Sequence, residues 1–147
     1  MEIRSGDFEP DSKIPLRHTC DGADLSPRLF WSGVPEGTES FVLIMDDHDA
    51  SAGIWVHWVL YDLPGGLREL PERISRSERL EAGGLQGATW GVESFSRIGY
   101  CGPCPPPGLP HRYSFRLYAL DRMLGLPAGA TKKQAVEAMK GLSLIHI

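Results

Sequence analysis

The chain has 147 residues, 41% of them hydrophobic, enough to bury one contiguous core, and this predicts one domain over 1–141 with an atypical tail at 142–147. A formal net charge of −4 offers no electrostatic footprint for nucleic acid or an anionic membrane surface. No stretch approaches the roughly 18 apolar residues of a membrane span, the N-terminus lacks a leader pattern, and Cys20, Cys101 and Cys104 are too few for a secreted disulfide scaffold. The expected setting is cytoplasmic.

In chain order, Leu29-Phe30-Trp31 running into Val34-Pro-Glu-Gly37 reads as an edge strand and turn. Phe41-Val-Leu-Ile-Met45 is an uninterrupted apolar run, predicting a central strand that ends in an acidic loop, Asp46-Asp-His-Asp49. Residues 54–61 are apolar on both faces and predict a second buried strand, with His57 on the face of Trp55, Val59 and Tyr61. Residues 65–99 are glycine-rich and weakly patterned, which predicts long surface connections.

The segment Tyr100-Cys-Gly-Pro-Cys-Pro-Pro-Pro-Gly-Leu-Pro-His-Arg-Tyr113 sets a proline-stiffened loop against a strand entered by two polar rings. Strand alternation puts His111, Tyr113, Phe115, Leu117 and Ala119 on one face, and Arg112, Ser114, Arg116 and Tyr118 on the other. Near the end, Thr131 with Gln134 three residues on forms a capping box, and Gly141 supplies the stop for a short helix on the sheet edge. The remainder, Leu-Ser-Leu-Ile-His-Ile147, is an apolar tail.

Three chemistries compete for these residues. Cys101-Gly-Pro-Cys104 has thioredoxin-like spacing, but the prolines after Cys104 cannot continue the helix that would activate a thiol, so two ordinary thiols in a rigid loop is the better reading. Asp46, Asp47, His48, Asp49, His57, His111 and the two loop thiols are metal-ligand types without a compact ligand spacing, and a metal- or Cys/His-dependent hydrolase is the alternative function. Anion binding fits best: two imidazoles, a phenol and loop amides are the donors a phosphate or carboxylate needs. Asp47 beside such an anion would be protonated, or would accept from a cationic part of the ligand such as an amine-bearing headgroup.

Several ordered segments together resemble the phosphatidylethanolamine-binding protein family, in its bacterial and archaeal Raf kinase inhibitor-like (YbhB/YbcL-type) branch. They are Thr19-Cys-Asp-Gly22, Ser26-Pro27, Trp31 through Gly37, Asp46-Asp-His-Asp-Ala50, Trp55 through Tyr61, Gly99 through Pro106, and His111-Arg-Tyr113. The resemblance covers roughly residues 3–122. It implies a mainly antiparallel, Greek-key-like β-sandwich with a few short peripheral helices and an anion pocket at one end of the larger sheet. Carried over by position, the ligand-binding residues are Asp47, His57, Cys104 through its backbone, His111 and Tyr113. The pocket wall is His48, Asp49, Trp55, Gly102, Pro103 and Pro105. It implies neither catalytic residues nor a resident metal or cofactor. The expected partners are a small anionic ligand such as phosphate or phosphoethanolamine, and a protein such as a kinase that ligand binding regulates. His48 and Ser51 stand where the family's acidic loop carries prolines, which predicts a more mobile loop. The family's closing segment does not match, which predicts a truncated end and a missing sheet edge or pocket wall.

Overall fold

The computed structural model describes residues 1–47, 49, 55–89, 97–104, 111–141 and 143–146, with the backbone alone described at Trp55 and 143–146. The strands are β1 (Glu2–Ser5), β2 (Leu29–Ser32), β3 (Ser40–Asp47), β4 (Trp55–Pro64), β5 (Glu69–Leu70), β6 (Leu85–Gln86), β7 (Ala88–Thr89), β8 (Arg97–Ile98), β9 (Tyr113–Leu120) and β10 (Ser143–His146). Among the described residues a 3-10 turn spans Leu16–His18, and one α-helix, α1, spans Lys132–Met139.

The larger sheet has the order β10-β9-β3-β4-β6 and the smaller the order β1-β2-β5, while β7 and β8 pair separately. All of these pairings are antiparallel. Between the sheets lies one apolar layer: Leu29, Trp31 and Leu70 from the smaller sheet meet Phe41, Leu43, Met45, Trp58, Leu60, Leu117 and Ala119 from the larger. Full burial of such side chains contributes about 1.5–3 kcal/mol each, so this layer fixes the sandwich. The opposite face of the larger sheet (Val42, Ile44, Val59, Tyr61, Leu120) is closed by Ala130 and by Ala135 and Met139 of α1. Both halves of the Thr131–Gln134 capping box are present.

Several sequence expectations need correction. β2 is the middle strand of its sheet, not an edge: its alternation, with Leu29 and Trp31 buried and Phe30 and Ser32 exposed, serves one packed face while β1 and β5 flank it. The described part of residues 65–99 holds four two-residue strands, and the Gly83–Gly84 pair, both at positive φ, turns the chain back so that the Leu80 amide donates to the Gly84 carbonyl and the Gly83 amide to the Leu80 carbonyl, each at 3.1 Å. The helix lies on a sheet face rather than an edge, because Ala135 is small enough to seat it on the apolar layer. The tail is used, with β10 pairing against β9 at the rim of the larger sheet.

β3 continues through Asp46 and Asp47, both buried, where the sequence predicts a loop. Alternation sends these adjacent carboxylates to opposite faces. Asp46 meets Lys132 of α1 on one side at 2.8 Å, and Asp47 meets His111 on the other at 2.7 Å. Each buried charge therefore has its own counter-group, which lets the ladder run two residues past the apolar segment.

Candidate anion-binding site

The site is assembled by the ends of three neighbouring strands. Asp47 at the end of β3 pairs across the ladder with Tyr113 at the start of β9, which puts both side chains on the inter-sheet face with Met45 and Phe115. His111 precedes β9, and its Nδ1 lies 2.7 Å from Asp47 Oδ2. A carboxylate only accepts, so Nδ1–H donates, and the ring has Nε2 left to offer.

His57 reaches the same face by a bulge. In the β3–β4 register Met45 pairs with Trp58 and Asp46 with Val56, leaving His57 as the extra residue. A bulge of this kind sets its two residues on one side of the sheet, so His57 joins Trp58 rather than Val59 and Tyr61, correcting the face that strict alternation assigns. Its ring stands edge-on to Tyr113, with centroids 5.4 Å apart and an 83° interplanar angle. Its Nδ1 lies 2.5 Å from the Cys101 carbonyl and donates to it, which again leaves Nε2 toward any ligand.

The two carboxylates of this corner are already engaged. Asp47 Oδ1 accepts the Asp49 amide at 2.9 Å while Oδ2 accepts from His111 Nδ1 at 2.7 Å, so the carboxylate fixes the orientation of the imidazole. Asp49 accepts both the backbone N–H of Arg112, at 2.6 Å, and its guanidinium, at 3.0 Å. Those bonds hold the Asp49 carboxyl down at about 2. Tyr113 is pushed up to about 12, first by burial and then by the charges of Asp47 and Asp49. Its hydroxyl is buried and has no hydrogen-bond partner among the described residues. A buried O–H left so is a donor awaiting an acceptor.

The 100–104 loop departs most from expectation. Cys104 forms a disulfide with Cys20, and Cys101 is a buried thiol outside it, so the Cys-x-x-Cys spacing does not mark a pair of ordinary thiols. Long-range contacts decide the partner. The Cys20 amide bonds the Pro103 carbonyl at 3.1 Å, the Tyr100 hydroxyl bonds the His18 carbonyl at 2.7 Å, and Gly102 packs so closely there that a Cβ would meet that carbonyl at 2.2 Å. The Gly102 amide donates to Asp24 Oδ1 at 2.8 Å, and the Cys101 amide to the His57 carbonyl at 2.9 Å. With Pro103 lacking an N–H, any loop amide for an anion within 101–104 reduces to that of Cys104. His48 and Pro105 lie outside the described residues, as does the side chain of Trp55 and the proline-replacing Ser51.

Sequence reasoning missed the Cys20–Cys104 bond, the Asp24 brace and the Arg112–Asp49 pair; Cys20 was visible as one of three cysteines and within the Thr19–Gly22 family segment, neither of which names its partner. No helix among the described residues is long and apolar enough to cross a membrane.

Comparison with known proteins places these features in a family context. The family model described as phosphatidylethanolamine-binding protein matches residues 4–145. A UPF0098 protein of Aquifex aeolicus is 46% identical, over 100% of this chain and 85% of its own. Among solved structures, a putative phosphatidylethanolamine-binding protein homologue, CT736 of Chlamydia trachomatis, superposes with a TM-score of 0.86 at 36% identity, covering 98% of this chain and 90% of that one. Escherichia coli YbcL, described as a member of the mammalian PEBP family, superposes with a TM-score of 0.87 at 27% identity, covering 99% and 92%.

Proposed function

Since the chain belongs to the phosphatidylethanolamine-binding protein family, we propose that it binds a small phosphate- or carboxylate-bearing ligand at the corner formed by His57, His111 and Tyr113, without turning it over. The supporting observation is the committed geometry of the two imidazoles. Each donates Nδ1–H to a fixed acceptor, the Cys101 carbonyl or Asp47, so each can direct only Nε2 at a ligand, beside the Tyr113 hydroxyl, which has no hydrogen-bond partner among the described residues. Protonated, both Nε2 atoms become donors and an oxyanion gains two charge-assisted bonds. Asp47, with both oxygens engaged, keeps the His111 ring in place.

Chemistry is not part of this reading: among the described residues the Nδ1 partners of the two imidazoles are a backbone carbonyl and the Asp47 carboxylate, with no hydroxyl or thiol for either to activate. Regulation of a protein partner such as a kinase by pocket occupancy is a further element, and family membership alone supports it. A cytoplasmic setting is also proposed; the Cys20–Cys104 disulfide weighs against it, since such bonds rarely persist in reducing compartments.

The test is a calorimetric or NMR titration with sulfate, which keeps its charge across the range, and with phosphoethanolamine. Affinity should fall as pH rises between about 5 and 8, where imidazoles lose their charge, and His111→Ala should weaken it. Equal affinity across that range refutes the imidazole role. Hydrolysis of phosphoesters by the parent chain, abolished by a chelator, would establish the hydrolase alternative instead.

A further inference from the structure

A second group of titratable side chains sits on the other side of the 100–104 loop. Asp7 follows β1, His18 closes the 3-10 turn and Glu72 follows β5, and their potential ligand atoms all lie within 4.8 Å of one another. His18 is fully buried, with its Nδ1 2.8 Å from the Leu25 carbonyl. A carbonyl only accepts, so Nδ1 carries the proton and the neutral ring presents a lone pair at Nε2.

That Nε2 is buried without a hydrogen-bond partner among the described residues and faces Asp7 Oδ2 at 3.4 Å. Two acceptors confront each other. A proton between them would draw nitrogen and oxygen to about 2.7–2.9 Å. Two ligands held about 2.1 Å from a tetrahedral ion, in contrast, stand about 3.4 Å apart. We propose that Asp7, His18 and Glu72 bind a divalent transition cation of the zinc class, with a water as the fourth ligand.

One imidazole and two carboxylates suit such an ion, whereas calcium takes six or more oxygens. The surroundings supply the usual outer support. The Leu25 carbonyl fixes the His18 tautomer and the Arg28 amide holds Asp7 Oδ2 at 2.9 Å. Glu72, a third exposed, can move the remaining distance.

Arg17 is the competitor. Its guanidinium lies 2.8 Å from Asp7 Oδ1 and 3.5 Å from Glu72 Oε1 on a half-exposed side chain, so it neutralises the carboxylates and swings to solvent when the cation enters. Because the His18 carbonyl accepts from Tyr100 and abuts Gly102, a bound ion braces the loop behind the anion corner.

The probe is Zn²⁺ alone, titrated by calorimetry into the untagged, metal-stripped chain, with a thermal melt beside it. One equivalent should bind and raise the melting temperature. Glu72→Gln should weaken binding at least about tenfold, with Asp7→Asn as a second ligand variant. Arg17→Gln should tighten it by removing the competing cation, and His111→Asn should leave it unchanged. No binding, binding indifferent to Glu72→Gln and Asp7→Asn, binding indifferent to Arg17→Gln, or binding lost with His111→Asn overturns the proposal.

Discussion

Asp47 stands directly across the β3–β9 ladder from Tyr113, so a buried carboxylate and a half-buried tyrosine with a buried hydroxyl share one end of the inter-sheet layer. Burial and that neighbouring charge, reinforced by Asp49, raise the phenol to about 12. A raised value means stability is fully present below the ordinary 10.0 and is lost as pH rises through about 12. Phenolate absorbance of the parent minus that of Tyr113→Phe should isolate this late titration. Asp47→Asn should lower it only partway, because burial, the leading cause, remains. A Tyr113 titrating at its ordinary value would show the corner open to water.

The acid limb reports a different pair. Arg112 bonds Asp49 through both its backbone amide and its guanidinium and holds the carboxyl at about 2 against an ordinary 3.8. The native state therefore releases this proton more readily than the unfolded chain. The pair's stability is complete above about pH 4 and disappears as pH falls through about 2. Denaturant melts of the parent and Asp49→Asn should differ above that window and converge below it. A gap that persists at the lowest pH would assign the effect to packing.

Much of this architecture was legible in the sequence, and the parts that were not share a physical cause. Phe41–Met45, the Tyr113–Leu120 alternation and the Thr131–Gln134 box are local patterns, and each forms the element its pattern specifies. The Asp47, His57, His111 and Tyr113 neighbourhood was legible through ordered family segments. The bulge at His57 was not, because a strand apolar on both faces gives no sign of a slipped register. The Cys20–Cys104 bond and the extension of β3 through Asp46 and Asp47 depend on partners far along the chain. The reading of Cys101 and Cys104 as two ordinary thiols failed at Cys104, because a local motif carries no information about which backbones tertiary packing brings together.

The disulfide closes a loop with a sequence separation of 84 residues, tying the segment after the 3-10 turn to the loop that contacts His57. Chain-entropy arguments put such a cross-link just above the usual range, at about 4.6 kcal/mol. Cys20→Ser should cost roughly that amount in urea melts, and a dithiol reductant should reproduce the loss in the parent but not in the variant. Equal sensitivity of both to reductant would mean the cross-link contributes nothing in solution.

Asp46 and Lys132 make the sharpest energetic test, because the carboxylate is 1% exposed and the ammonium a quarter exposed. Lys132 opens α1, where a cation opposes the helix dipole, so its position makes sense only as the counter-charge to Asp46. Lys132→Met leaves a buried carboxylate uncompensated and should cost roughly 3 kcal/mol or more. Adding Asp46→Asn removes that stranded charge, so the double variant should recover most of the loss, with the coupling read from a double-mutant cycle in urea. Additive losses would show that water reaches Asp46 once the lysine is gone, and that the helix is held on the sheet by Ala135 and Met139 alone.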